Sequence, residues 1–322
     1  METLFISREA RLSRRENTLI VSMDGQKRFF PIEKIRHIVM LGQGRFNSAL
    51  LCLCGAHGVR VSVFDYYGYY KGSFEPKPQN PSGRVVKEQA RCILDDEMRL
   101  ETAREIVRGA WRNMRANLAY YQYRGLNRLD PVLEHMDRMA EKIETAPSIP
   151  KLMGAEGVLH ARYFAAWPIV DPRLDFAPRT RRPPNNPINC LISFLNQLTY
   201  TAVRHEVFKT HLHETLSWLH SPGTGRSSLS LDLAEPFKPI LADNLIFRLV
   251  RKNILSDNWF SQQDKVCLLT ETGRRHAAEH FSTRLEERYK GKSYREWIYR
   301  EAIALERSVM GLTPYESFKR KA

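Results

Sequence analysis

The chain has 322 residues, 43% of them hydrophobic and 27% charged, with 50 Lys and Arg against 36 Asp and Glu for a formal net charge of +14. That length holds one large or two ordinary domains with real cores, and the composition excludes a disordered chain. No apolar run reaches the 18 residues of a membrane span, and the start METLFISREARLSRR has no apolar stretch leading to a cleavage site, so a cytoplasmic protein is expected.

The five cysteines (Cys52, Cys54, Cys92, Cys190, Cys267) are odd in number and sit mostly in apolar runs. Cys52 and Cys54 lack the second pair that a structural zinc site needs, so buried free thiols in a reducing compartment are expected. The basic excess favours a polyanionic partner, because each neutralised phosphate releases counterions. Simple solubility is the bland alternative. No segment gathers the basic charge on an amphipathic helix opposite a Trp/Leu face, which argues against a membrane surface.

In chain order, residues 1–76 read as β-rich. Apolar runs fall at Thr3–Ser7, Thr18–Met23, Arg28–Ile32, Ile35–Leu41 and Arg60–Phe64, and Asp24-Gly25 is a two-residue hairpin signal between the second and third. Phe46–Ala56 reads as one helix ended by Gly55 or Gly58. The aromatic stretch FDYYGYYKGSF (Phe64–Phe74) suits either base stacking or a strand pair in a sheet or subunit contact. The proline-rich KPQNPSG, residues 77–83, is the expected linker.

Beyond it the period turns helical. Val107, Trp111, Met114, Leu118 and Tyr121 form one apolar stripe, and Val132, Met136, Met139 and Ile143 form another. The last long helix carries Ile298, Ala302, Leu305 and Val309. Residues 84–322 are therefore expected to form a nearly all-α domain, which makes the fold class α+β.

On the helix after Pro150, Leu152, Leu159 and Tyr163 mark an inward stripe, and Glu156 falls on it. A carboxylate aimed inward needs a cation, hydrogen bonds or a metal, and periodicity alone leaves an arginine ion pair and a metal ion equally open. His160, at i+4, reads as a surface or hydrogen-bonding residue. RTRRPPNNPIN (residues 179–189) joins Arg179, Arg181 and Arg182 to a rigid turn with a bias toward phosphate contact. Leu191 begins a buried helix, and His205, His211 and His213 after it read as surface residues.

HSPGTGRSSLSLDLAEPFKP (His220–Pro239) places a histidine and two carboxylates, Asp232 and Glu235, in one segment. These side chains hold divalent metals, and the two acids would share one helical face. There is no P-loop, dinucleotide fingerprint, nucleophile elbow or internal repeat.

Taken together, FDYYGYYKGSF, GAEGVLHARYF, RTRRPPNNPINCLISF, HLHETLSWLH and GRSSLSLDLAEPFKP resemble, in order, the CRISPR-associated integrase called CRISPR-associated protein one. The resemblance covers nearly the whole chain. It implies a β-rich dimerisation domain (1–76), a linker (77–83) and an α-helical metal-dependent catalytic domain (84–322). It also implies metal ligands at Glu156, His220 and Glu235, with Asp232 at a neighbouring acidic position that assists. The family often has an Asp-Pro and a Gly shortly before the histidine, where this chain has His213-Glu214 and Ser217. His160 is not a position the family shares as a ligand.

The implied function is insertion of new spacer DNA into a CRISPR array, a 3′-OH attacking at the repeat edge with Mg²⁺ or Mn²⁺ as the metal. Arg226 and Lys238 flank the ligands and are candidates to neutralise phosphate, while Arg179, Arg181 and Arg182 are candidates to hold duplex DNA. The implied partners are double-stranded DNA, a second copy of the chain, and the small second adaptation protein of the CRISPR system. Competing readings are a metal-dependent nuclease on branched DNA in repair, a non-catalytic basic DNA-binding adaptor, and a basic structural protein.

Overall fold

The computed structural model describes residues 2–77, 81–176, 178–180, 183–221 and 227–320. The architecture is α+β, strands crowding the first 76 residues and helices dominating after them. The strands are β1 (Glu2–Ile6), β2 (Ala10–Arg15), β3 (Thr18–Met23), β4 (Gln26–Pro31), β5 (Ile35–Met40), β6 (Gly44–Arg45), β7 (Arg60–Phe64) and β8 (Tyr70–Phe74), with helix α1 (Ser48–Ala56) before β7.

These strands form two four-stranded sheets, ordered β1-β5-β7-β8 and β4-β3-β2-β6. In the first, β1, β5 and β7 run parallel and β8 returns antiparallel against β7. A parallel strand is covered on both faces and so reads as a continuous apolar run, and Ile38, Val39 and Met40 of β5 are all buried. In the second sheet, Asp24 and Gly25 both take positive φ (50° and 76°) between the paired Met23 and Gln26, the two-residue turn their sequence specifies. Leu12, Leu19 and Val21 from this sheet meet Ile38, Met40 and Val61 from the other, with Leu50 and Leu53 of α1, in one core. The aromatic stretch contains a turn and β8, and Tyr66 and Tyr67 are exposed at the turn.

The helices that follow are α2 (Gly83–Leu94), α3 (Asp96–Tyr123), α4 (Asp130–Glu144), α5 (Ile149–Ala165), α6 (Trp167–Val170), α7 (Pro187–Val207), α8 (Ser228–Ala234) and α9 (Asn244–Arg251). Strands β9 (Phe260–Gln263) and β10 (Val266–Leu269) pair as a hairpin before α10 (Glu271–Glu286). Strands β11 (Arg288–Tyr289) and β12 (Lys292–Ser293) pair before α11 (Tyr294–Val309). The helical remainder thus carries two short hairpins that apolar patterning does not reveal, their strands being two to four residues long.

Two compact units result. One comprises Met1–Gln79, Thr180–Thr201 and Ser256–Thr283; the other comprises Asn80–Arg179, Ala202–Leu255 and Arg284–Ala322. In the second, the long helix α3 has its ends well specified: Asp95 accepts from the backbone N–H of Met98, and Asp96 and Glu97 lie in the first turn. Its buried stripe packs on α4 and α5. His205, expected at the surface, is 2% exposed, because α7 continues through this polar stretch and keeps the side chain inside. No helix among the described residues is long and apolar enough to cross a membrane.

Ile38 is fully buried on the central parallel strand. Ile38→Ala is expected to cost about 2–5 kcal/mol of unfolding free energy, read by denaturant titration.

Candidate metal centre

Helix α5 delivers the first acid. Leu152, Leu159 and Tyr163 are fully buried on its inward face, and Glu156, on the same stripe, is half-buried. One turn on, His160 turns its Nε2 to within 3.2 Å of Glu156 Oε1.

The second acid comes from a helical run interrupted by prolines. After α8, residues 235–238 continue in a helical turn, Pro239–Asp243 form a π-helical turn, and α9 follows. Pro236 and Pro239 have no N–H to give, so the hydrogen-bond ladder breaks here. Helix α3 holds the segment's carbonyls from the side: Asn113 Nδ2 donates to the Pro236 oxygen (2.8 Å) and Asn117 Nδ2 to the Pro239 oxygen (2.6 Å). Glu235, at the start of this broken segment, is 2% exposed. Its Oε2 lies 3.6 Å from His160 Nε2, and Lys238 donates to its carboxylate at 2.6 Å.

Glu156, His160 and Glu235 therefore offer one ligand atom each, all within 4.8 Å of one another. His160 Nε2 is buried and aligned for a hydrogen bond with neither carboxylate, although it touches both. Burial opposes charge on this imidazole, but Glu156 and Glu235 outweigh it and its pKa is pushed up to about 9. Burial also works against the Glu235 anion, yet Lys238 and His160 hold its carboxyl far below the usual range. Both acids are thus presented as oxygen donors beside an imidazole, a set that fits Mg²⁺ or Mn²⁺.

His220 stands next to this trio but outside it. Its Nδ1 lies 2.8 Å from Asp232 Oδ1, and Asp232, fully buried, also accepts the backbone N–H groups of Trp218, Leu219 and His220. Asp232 thus fixes the loop that carries the imidazole, and with Nδ1–H directed to it the imidazole keeps Nε2 as its acceptor. Burial opposes charge on His220, but the Asp232 hydrogen bond outweighs it and raises the pKa, with Glu235 adding to the effect. Asp232 and Glu235, three residues apart, serve different partners.

Of the basic residues, Lys238 lies in the centre itself. Arg179 is half-buried and within electrostatic reach of Asp243, a buried carboxyl pushed up to about 7 by desolvation. Arg181, Arg182 and Arg226 lie outside the described residues. His160, read from the sequence as a surface or hydrogen-bonding residue, stands beside the two acids, and Asp243 was not singled out. The signal for His160 was its i+4 spacing from Glu156.

The charged His160 stabilises the metal-free fold. Its folded pKa lies above the unfolded value near 6.5, so its contribution is complete below pH 6.5 and disappears as pH rises through about 9. Thermal melts in chelator at pH 6 to 9.5 are expected to show wild type losing up to ~3 kcal/mol more than His160→Gln across that window.

The family model described as CRISPR associated protein Cas1 matches residues 4–283. The CRISPR-associated endonuclease Cas1 of Fusobacterium nucleatum is 34% identical over 325 residues, covering 98% of this chain and 96% of that protein. A solved CAS1 protein from Thermotoga maritima is 29% identical, with a TM-score of 0.87 over 99% of this chain and 100% of that one. Two more distant structures share the fold at the same TM-score of 0.87. One is a casposase bound to integration product (20% identical, 99% and 94% covered), the other a Cas6-RT-Cas1–Cas2 complex (18% identical, 99% and 36% covered). The family match spans the segments that carry Glu156 and Glu235 and most of the chain, and the chain belongs to the Cas1 family of CRISPR-associated endonucleases.

Proposed function

We propose that the chain is a divalent-metal-dependent DNA integrase and endonuclease of CRISPR adaptation, joining the 3′-OH ends of new spacer DNA to the edge of a repeat. The observation that carries this reading is the convergence of Glu156 and Glu235, 79 positions apart in sequence, on one half-buried imidazole. Glu156, His220 and Glu235 would hold the ion, and His160 is a further imidazole donor beside the two acids. When bound, Mg²⁺ or Mn²⁺ supplies charge neutralisation at a scissile phosphate and acidifies an attacking hydroxyl.

The chain's own groups prepare that chemistry. Lys238 keeps Glu235 ionised and adds positive charge beside it. Asp232 holds the His220 loop by four contacts. In strand transfer the 3′-hydroxyl oxygen bonds to phosphorus as the repeat's own P–O3′ bond breaks, and the departing 3′-oxygen takes up a proton. One phosphodiester replaces another, so no energy-rich cofactor is consumed. With water in place of the hydroxyl, the same centre cleaves DNA.

Double-stranded DNA as partner is supported by the net charge of +14 and by the casposase of the same fold, which is bound to integration product. A small second adaptation protein is supported by the Cas1–Cas2 complex of the same fold. A homodimer through the β-rich region completes the assembly we propose.

Glu156→Ala, Glu235→Ala and His220→Ala, each checked for folding by circular dichroism, are expected to lower strand transfer by about 100-fold or more, beyond the loss typical of outer-shell changes. Wild-type turnover by any folded member of the three removes it from the ligand set, and cleavage of branched DNA without joined product would favour a repair nuclease. DNA affinity is expected to fall by about 10³-fold or more between roughly 50 and 200 mM salt, measured by fluorescence anisotropy.

A further inference from the structure

After α11 the chain turns back on itself. Gly311, at φ +68°, ends the helix with Leu312 N–H on the Arg307 carbonyl and Gly311 N–H on the Ser308 carbonyl, and residues 314–320 follow with neither helix nor strand. Tyr315, Ser317 and Phe318 are buried while Glu316 and Lys319 are exposed. The Glu301 carboxylate receives Tyr315 Oη (2.6 Å), Ser317 Oγ (2.8 Å) and the Phe318 N–H (2.9 Å), and Glu105 receives the Ser317 N–H (3.1 Å).

This strap is joined to the segment that carries Glu235. Asn113, 1% exposed, donates from Nδ2 to both the Pro236 and the Phe318 carbonyls (2.8 and 3.0 Å) and accepts the Arg320 N–H at 2.8 Å. The Phe318 ring stacks on Phe237 with centroids 5.1 Å apart and planes 7° apart. One turn before Asn113, a Cβ on Gly109 would lie 2.2 Å from Ser317 Oγ and 3.3 Å from Pro236 Cβ. Only a residue without a side chain lets strap and ligand segment share that point of α3. The strap residues, 312–320, lie beyond position 283, where the family match ends, while the groups they touch lie within it.

We propose that the C-terminal strap, residues 312–320, is a positioning brace for Glu235 and Lys238. A segment whose helical ladder is broken by two prolines lacks the rigidity of a continuous helix. The strap restores it by stacking Phe318 on Phe237 and by sharing Asn113 with the Pro236 carbonyl. Phe318 and Asn113 act through Glu235 and touch no substrate.

The test is hydrogen exchange by mass spectrometry on the full chain. Phe318→Ala is expected to speed exchange of the 235–241 amides about 10-fold while the α4 peptide is unchanged, and Phe318→Tyr, which keeps the stacked ring, is expected to restore protection. Tyr315→Phe with Ser317→Ala loosens the strap without opening the core, and should speed the same peptide to a smaller extent. Unchanged exchange at 235–241 in both variants overturns the brace, as does an equal rise in α4, which would mean general loosening. A second arm rests on the metal-centre reading: Mn²⁺ titration by electron paramagnetic resonance should show affinity reduced about 10-fold in folded Phe318→Ala. Wild type that binds no Mn²⁺ defeats the metal reading and leaves the exchange arm to decide the brace.

Discussion

A carboxylate that is 2% exposed must be held ionised by its neighbours or take up a proton, and Glu235 is held ionised. Desolvation at this depth disfavours the anion by far more than a surface ion pair can return. The cost is offset by two cations from different places in the chain, Lys238 one turn away and the protonated His160 of α5. That arrangement leaves two acids facing one imidazolium. Whatever displaces the imidazolium's charge must itself be positive and accept oxygen ligands, which describes a divalent metal. Most of the architecture around the centre exists to keep this electrostatically expensive group in register.

The broken helix shows how register is kept. Two prolines in four residues interrupt the helical ladder, and the carbonyls of Pro236 and Pro239 take side-chain donors from outside the segment. Asn113 and Asn117, four apart on one face of α3, reach those carbonyls directly. Asn117 also donates to Tyr163 Oη on α5 and accepts from Asn244 of α9. One polar row on α3 therefore ties the Glu235 segment to the helix that carries Glu156 and His160. Such a network is rigid because every member is matched, and loss of one partner leaves a buried group orphaned.

How much of this could be read beforehand differs from residue to residue. The inward direction of Glu156 followed from the 3.6-residue stripe of Leu152, Leu159 and Tyr163, since helical geometry alone sets which face a residue shares. The Asp24-Gly25 turn was equally legible, because its φ values restrict the residues that fit. Strand β2, ARLSRR, was not, having only Ala10 and Leu12 on its inner face. His160 was seen at i+4 but assigned elsewhere, since nothing local reveals that a carboxylate 75 positions later approaches the same nitrogen. The inclusion of 180–201 and 256–283 in the N-terminal unit is likewise a long-range property, invisible to any window of periodicity. The asparagines on α3 carry no signal until the prolines they serve are seen beside them.

Many arginines are engaged in ion pairs, among them Arg204 with Glu214, Arg115 with Asp137, Arg295 with Glu286 and Arg248 with Glu287. Pairing removes charges one for one, so it cannot consume the excess: 50 cations less 36 anions leaves 14 however the pairs are drawn. That surplus sets a positive field which extends about one Debye length, ~8 Å at physiological salt, and draws a polyanion toward the protein. At the candidate site Glu156 and Glu235 face Lys238 and His160, two acids against two cations, so the site's own side chains do not oppose that field. A phosphate is therefore attracted by the surface and meets, at the site, acids already paired with cations. If a divalent ion takes the place of the imidazolium's charge, as we propose, the two carboxylates stay neutralised by a cation that also attracts a phosphate, and the attraction at long range and at the site then has one sign.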